Sequence, residues 1–249
     1  MTRAVILSGA GLSAESGIQT FRAQDGLWNE YDVNIVCNIH SLEDNRQEVF
    51  DFYNARRQEL GRVQPNNAHL ALAALQREFG PEDVVLVTQN VDDLLERAGA
   101  MEVRHLHGKL WELECRQCRH VWGIGYTAVA PDIACPSCHA MAVKPNVVFF
   151  GEPLLNFKPM LTRALDKLRE QGVFVVIGTS GFTLPVEDMA AILPAYTILN
   201  NLETSRHIDE SVFDEVLHMP ATEAVSRICD VVRGAKRLAQ QGILFTGAI

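Results

Sequence analysis

Val5-Ile6-Leu7-Ser8-Gly9-Ala10-Gly11-Leu12-Ser13-Ala14-Glu15-Ser16-Gly17 decides how the rest of the chain is read. The apolar run Ala4–Leu7 is short, which suits a buried strand, and Gly9 and Gly11 allow the tight bend by which such a strand hands over to a helix. At a turn of this kind the backbone comes close to a pyrophosphate, and the N–H groups of the helix start face the anion. Gly9-x-Gly11-x-x-Ala14 fits the glycine fingerprint of dinucleotide sites, with Ala in its last place. Ordinary strand-to-helix turns carry the same pattern, so this motif alone leaves the ligand open.

Further short apolar runs end in a polar residue or Gly at Val84–Thr88, Val173–Gly178 and Thr197–Asn200. Helical periodicity lies between them: His69 to Phe79, Leu94 to Ala98, Met160 to Leu168 and Ala224 to Leu238. Strands alternating with helices predict an α/β fold with a mostly parallel sheet covered on both faces, and ligands beyond the carboxyl ends of its strands. The 249 residues, 47% hydrophobic and 21% charged, are enough for one large domain with an insert. A net charge of −9 opposes tracking of a nucleic-acid backbone, so no direct nucleic-acid binding is expected. No apolar stretch reaches the roughly 20 residues of a membrane span, and a cytoplasmic location without membrane contact is expected.

Residues 111–145 break the rhythm with Trp111, Trp122, four Cys and three Pro. Cys115-x2-Cys118 and Cys135-x2-Cys138 have the spacing of two knuckles that present four thiolates to zinc. Four thiolates fill the coordination shell, so the ion is structural; the bland alternative is two unliganded pairs. His120 and His139 duplicate positions that Cys already fills. Cys37 and Cys229 read as buried small hydrophobes. The expected boundaries are 1–110 and 146–249 for the nucleotide-binding domain and 111–145 for the inserted module, with the helical segment near 30–65 as a possible companion of the insert.

The strand Val84–Thr88 delivers Gln89, Asn90 and Asp92 to one strand end, although Asp92 or Asp93 would serve equally as a helix cap. Val103-Arg104-His105-Leu106-His107-Gly108 carries two His on one side of a strand. Gly108 would let a ligand approach His107, whose titration near neutrality suits a general base, while a lone His there is more often a satisfied core residue.

Taken together, these segments resemble the sirtuin family of NAD-dependent protein deacylases from about Ala4 to Ala221. The carrying residues are Gly9 to Ile18, Thr20-Phe21-Arg22, Thr88 to Asp92, His105-Leu106-His107-Gly108, the four Cys, Val147 to Glu152, Gly178-Thr179-Ser180 and Asn201-Leu202-Glu203. The resemblance implies a Rossmann-like domain with an inserted small zinc-binding domain, NAD and an acyl-lysine peptide meeting between them, and one structural zinc. It implies that His107 is the catalytic base. Ala10, Gly11, Arg22 and Ser180 would hold the pyrophosphate or adenosine side, Gln89 and Asn90 the nicotinamide ribose, and Asp92 the nicotinamide amide, with Phe21 shielding that pocket. Thr179, Asn201 and the backbone near Ala221 would lie around the adenine half; Gly9, Ala14, Glu15, Gly178, Leu202 and Glu203 complete the expected cofactor contacts. Val148, Phe149 and Gly151 fall on the substrate strand, which would pair with an extended peptide.

Tyr53 and Arg56 stand three apart and share a helix face, a phenol and a guanidinium suited to a carboxylate. Tyr-x-x-Arg is similar to the sirtuin class that removes succinyl and malonyl groups, so desuccinylation is expected beside deacetylation. The chain departs from the family pattern at Gln19, Ala23-Gln24-Asp25, Gly181-Phe182-Thr183 and Met219. A deacetylase alone, an NAD-consuming ADP-ribosyltransferase and a zinc-ribbon binding module are the competing readings. A dehydrogenase would need an acidic residue ending a second strand after the first helix, and Thr20 to Trp28 is not strand-like.

Overall fold

The computed structural model describes residues 2–19, 31–153, 157–166 and 168–240. In chain order its elements are β1 (Thr2–Ser8), α1 (Gly11–Ala14), α2 (Val33–Val36), α3 (Arg46–Leu60), α4 (Asn67–Phe79), β2 (Val84–Thr88), α5 (Leu94–Arg97), β3 (Val103–His105) and β4 (Gly108–Cys115). Then follow β5 (Val121–Gly123), β6 (Val143–Val147), α6 (Phe157–Leu165), β7 (Leu168–Ile177), α7 (Val186–Ile192), β8 (Tyr196–Asn201), β9 (Glu215–His218) and α8 (Ala221–Gln240).

Six strands form one sheet in the order β3-β2-β1-β7-β8-β9, and every neighbouring pair is parallel. The chain winds outward from β1 in one direction, returns to its other side at β7 and winds away again. The switch therefore lies between β1 and β7, where doubly wound sheets open a ligand crevice at their carboxyl ends. Alternation along the strands fills both faces. Ile6, Leu86 and Val175 pack with Leu72 and Leu75 of α4 and Ile228 and Val232 of α8. Leu7, Val87 and Val176 pack with Leu161 of α6 and Val186 of α7. Strands buried on both faces read as unbroken apolar runs, which is why they were visible in the sequence.

The insert is a separate antiparallel sheet, β5-β4-β6. Helix α3 packs on it through polar side chains that sequence periodicity does not show. Arg46 donates from Nε to the Pro131 carbonyl at 2.7 Å and from Nη2 to Val143 at 2.7 Å. Asn54 exchanges two hydrogen bonds with the Val129 backbone, at 2.9 and 3.0 Å. Fully buried Arg57 reaches Asn54 and the Thr127 carbonyl, and burial lowers its pKa to about 10. Residues 148–152, expected to continue a strand, lie beyond β6, with a single parallel bridge from Phe150 to Asn38.

Candidate functional site

Side chains gather at the carboxyl ends of β1, β2, β7 and β8. The first turn differs from its sequence reading in two ways. Its helix is a single turn, Gly11–Ala14, because Gly17 (φ +96°) breaks the chain away. Its glycines also serve a packing need. A Cβ on Gly11 would lie 2.6 Å from the Gly178 Cα, and one on Gly178 (φ +65°) would lie 2.6 Å from the Gly11 Cα, so the ends of β1 and β7 touch backbone to backbone. The Gly11 N–H donates to the Gly178 carbonyl at 2.8 Å.

Gln89 spans the crevice: its Nε2 donates to Thr179 Oγ1 at 3.1 Å, and its Oε1 accepts from Thr183 at 3.2 Å. Asn201 donates to the Thr179 carbonyl at 2.9 Å, and the Ser180 carbonyl accepts from Ser205 at 2.6 Å. Glu15 caps α8, accepting from the Thr222 hydroxyl at 2.7 Å and its N–H at 3.1 Å. Ala221 lies in the core under that cap, and Leu202 is exposed beside Glu203. Phe21 and Arg22 lie outside the described residues.

Ser13 and His69 were not singled out as site residues from the sequence, yet they organise this end. Asn66 caps α4 and donates its backbone N–H to His69 Nδ1 at 3.2 Å, which leaves Nε2–H facing Ser13 Oγ at 3.3 Å. The Ser13 hydroxyl then donates to Asp92 Oδ2 at 2.8 Å and accepts from the Asn90 amide at 3.0 Å. Burial holds His69 neutral, its pKa lowered to about 4. Burial raises the Asp92 pKa, partly countered by the Ser13 hydroxyl and the Leu94 N–H. Asp93 is the N-cap residue of α5 but makes no side-chain cap bond; Asp92, one residue earlier, accepts from the Leu94 N–H at 3.1 Å through Oδ1 while Oδ2 takes part in the network. The one available signal was Asn66-x-x-His69, a helix-start spacing.

His107 follows β3. Its Nδ1 lies 2.9 Å from the Gln89 carbonyl, which can only accept, so Nδ1 carries the proton and Nε2 is the basic nitrogen. Burial lowers its pKa below the ordinary 6.5, against the opposing pull of that carbonyl, and the ring is neutral at neutral pH. Gly108 (φ +83°) is required by its neighbours: a Cβ there would meet the Asn146 carbonyl oxygen at 2.1 Å.

The next segment is held from three sides. Val148 N–H donates to the His107 carbonyl at 2.9 Å, and Phe150 N–H to the Cys37 carbonyl at 2.7 Å. Glu152 Oε2 accepts from Phe149 N–H at 2.8 Å and pairs at 3.0 Å with buried Lys144. Gly151 (φ +86°) turns the chain past His40. Tyr53 stacks on Phe149, with ring centroids 5.4 Å apart, and donates to Cys37 Sγ at 3.4 Å. Burial raises the pKa of both, the Cys37 thiol to about 11. Arg56 lies 3.2 Å from Glu59 and over the Tyr31 and Phe52 rings, but its buried Nε and Nη1 have no hydrogen-bond partner among the described residues.

Cys115, Cys118, Cys135 and Cys138 converge with all four sulfurs within 4.8 Å of one another. The Cys115–Cys138 and Cys118–Cys135 separations are 3.6 and 3.7 Å. Zinc at about 2.3 Å from each sulfur sets tetrahedral edges of about 3.8 Å, so the donor set fits that ion. The two knuckles repeat one conformation: the residues after each pair, Arg119 and His139, have φ of 63° and 62° and donate to the Cys115 and Cys135 carbonyls. The amide, hydroxyl and backbone groups at the switch point likewise suit a ribose and diphosphate.

Residues 9–185 match the Sir2 family. An NAD-dependent protein deacylase of Helicobacter hepaticus is 42% identical over 247 residues, covering 92% of this chain and 96% of the relative. The Escherichia coli K12 protein of the same description is 40% identical over 242 residues, covering 94% and 84%. Among solved structures, a Sir2 homologue variant in complex with ADP-ribose superimposes with a TM-score of 0.82 at 33% identity, covering 94% and 93%. A Sir2 homologue bound to NAD gives 0.78 at 33% identity, covering 94% and 89%.

Proposed function

This chain belongs to the Sir2 family and is an NAD-dependent protein deacylase, and we propose that His107 is its general base and that its acyl groups include succinyl and malonyl. NAD, when bound, supplies a ribose carbon made electrophilic by departure of nicotinamide. Gln89 and Asn90 hold the nicotinamide ribose, and Asp92, kept in place by Ser13 and Leu94 N–H, receives the nicotinamide amide. Gly9, Ala10, Gly11, Ala14, Gly178 and Ser180 line the diphosphate side; Arg22 and Phe21, expected on the diphosphate and nicotinamide sides, lie outside the described residues. Thr179, Asn201, Leu202, Glu203 and Ala221 border the adenine half. His107, neutral with Nε2 as its base, would take a proton from the ribose hydroxyls, and with one water consumed the products are the free lysine, nicotinamide and O-acyl-ADP-ribose.

The peptide lies along Val148, Phe149 and Gly151. The N–H groups of Val148, Phe149 and Phe150 are already used, as are the Phe149 and Phe150 carbonyls, so among the described residues the Val148 carbonyl and the Gly151 N–H and carbonyl are the backbone groups left to pair with it. A relative 25% identical was solved with a deacetylated p53 peptide, which supports a protein-lysine substrate here. The nucleotide-binding domain is 1–110 and 146–249 and the zinc-binding module 111–145, with α3 joined to it by Arg46, Asn54 and Arg57. Six unpaired cysteines support a reducing, cytoplasmic setting. No helix of the described residues is long and apolar enough to cross a membrane.

The acyl assignment rests on one observation: the Arg56 guanidinium, its Nε facing Glu59 at 3.2 Å, carries a buried Nη1 without a hydrogen-bond partner among the described residues, beside a tyrosine whose hydroxyl has only a thiol to donate to. A weak acceptor is displaced by a carboxylate at little cost, and two charge-assisted hydrogen bonds replace it. Acetyl-, malonyl- and succinyl-lysine peptides with NAD, followed by product mass, test this reading. Arg56→Met should lower kcat/KM for succinyl-lysine by about 100-fold and for acetyl-lysine by about threefold or less; equal losses refute the pocket.

A further inference from the structure

His107 has a twin two residues upstream. His105 ends β3 with its side chain 3% exposed, its edge against the Trp111 ring at 5.5 Å. Its Nδ1 lies 3.0 Å from the Asn90 carbonyl, and its Nε2 lies 2.7 Å from Glu96 Oε1 on α5. The two imidazoles thus hook consecutive carbonyls, His107 that of Gln89 and His105 that of Asn90. Between β2 and α5 these residues belong to neither a helix nor a strand; the Gln89 N–H still donates to the Ser8 carbonyl at 2.8 Å, while the carbonyls of Gln89 and Asn90 are held by the two rings.

Donor and acceptor accounting separates the two rings. A carbonyl oxygen and a carboxylate oxygen both accept, so hydrogens must stand on both sides of His105, one from Nδ1 to Asn90 and one shared between Nε2 and Glu96. His107 gives Nδ1–H to the Gln89 carbonyl, and His105 is braced at both nitrogens, so it cannot rotate without breaking a short contact to a carboxylate. Asn90 is also tied at its N–H to Thr88 Oγ1 at 3.0 Å and at its amide to Ser13. Its carbonyl belongs to the next peptide plane, shared with the Val91 N–H, and the His105 ring is what holds that plane. Releasing it would let the peptide turn and carry both Asn90 and the Ser13–Asp92 contact out of register.

We propose that His105 and Glu96 form a positioning pair that holds the Asn90 peptide plane, so that Asn90 and Asp92 face the nicotinamide ribose; His105 itself touches no reacting atom. The inference rests on the reading of His107 and Gln89–Asp92 as the NAD end of the site. It separates cofactor from peptide, because Asn90 and Asp92 serve the former and residues 148–151 the latter.

The test uses the full-length, zinc-loaded protein and measures KM for NAD, KM for an acyl-lysine peptide, kcat and Tm. His105→Phe keeps the ring packed on Trp111 and deletes both nitrogens; it should raise the NAD KM about tenfold while the peptide KM moves by less than about twofold. His105→Asn places an amide N–H near the lost Nδ1 and should bring the NAD KM to within about threefold of the parent, although the smaller residue leaves the larger cavity. Equal NAD losses in the two variants, or parallel rises in both KM values with falling Tm, overturn the proposal and leave His105 a packing residue. If His105→Phe does not fold, Glu96→Leu against Glu96→Gln decides: only Leu should raise the NAD KM, because a glutamine amide still partners Nε2. Measured alongside, His107→Ala should be inactive. Activity retained there removes the reading of the site and this proposal with it, whereas an inactive His107→Ala with an unchanged NAD KM in His105→Phe overturns the positioning pair alone.

Discussion

The large sheet and the small insert are held together in opposite ways. Around β1, β2 and β7 the chain buries apolar side chains on both faces of six strands, each fully buried Leu, Ile or Val contributing about 1.5–3 kcal/mol. At the cysteine end of β4, β5 and β6 the buried cluster among the described residues is Leu113, Cys115, Cys135 and Val143, ringed by half-buried Trp122, Ile124 and Ile133, and two of those four carry metal-ligand sulfurs; Leu110 and Val147 of the same sheet belong instead to the cluster around α3. So small an apolar cluster does not offset the entropy of ordering thirty-odd residues, and a structural ion has to supply the difference. The comparison teaches that one chain solves the same thermodynamic problem twice, by area where the strands are long and by coordination where they are short.

Removing the metal should produce the largest effect and the sharpest contrast. A strong chelator is expected to abolish deacylation and expose four additional thiols to a thiol reagent, while amides of β1, β2 and β7 stay protected in hydrogen exchange. Full activity after verified metal loss would break the comparison.

Within the large sheet the vulnerable point is the backbone contact of β1 with β7. Gly178→Ala adds a Cβ 2.6 Å from the Gly11 Cα at a φ of +65°, and about 3–4 kcal/mol of destabilisation is expected in a denaturant titration. The insert should keep its bound ion, measured as zinc content.

A similar or slightly smaller effect, confined to acid, is expected from His69. Its folded pKa of about 4 lies below the unfolded 6.5. Its contribution is therefore complete above pH 6.5 and is lost as pH falls towards 4, a change of about 3 kcal/mol. His69→Gln should flatten the stability profile in that window, and an unchanged slope would refute the assignment.

The smallest expected effect is a displacement of the activity profile. Burial lowers the His107 pKa, so kcat/KM should persist below pH 6.5 before protonation of the ring switches it off. An acid limb centred at or above 6.5 would mean that water reaches the ring.

Four of the six parallel strands were legible as apolar runs, and the zinc donors as a spacing, because both are local properties of the chain. The glycines were read from the sequence for close approach of a ligand, whereas the fold gives Gly11 and Gly108 a packing reason: they clear backbone atoms of residues 178 and 146, partners that no local window contains. Ser13 and His69 stayed hidden because a serine in a glycine turn and a histidine in an amphipathic helix look like filler until β1, β2 and α4 are side by side. The polar clamp of α3 on the insert escaped for the same reason, since Arg46, Asn54 and Arg57 bond to carbonyls and N–H groups some 70 to 100 residues away.

Residue order alone determined the elements, the metal donors and the kinds of chemical group available, since each is encoded in periodicity, spacing or side-chain type over a few residues. Only the folded chain decided which imidazole is neutral, which carboxyl is desolvated and which peptide planes are pinned. Those properties depend on burial and on hydrogen-bond partners that long-range packing brings together.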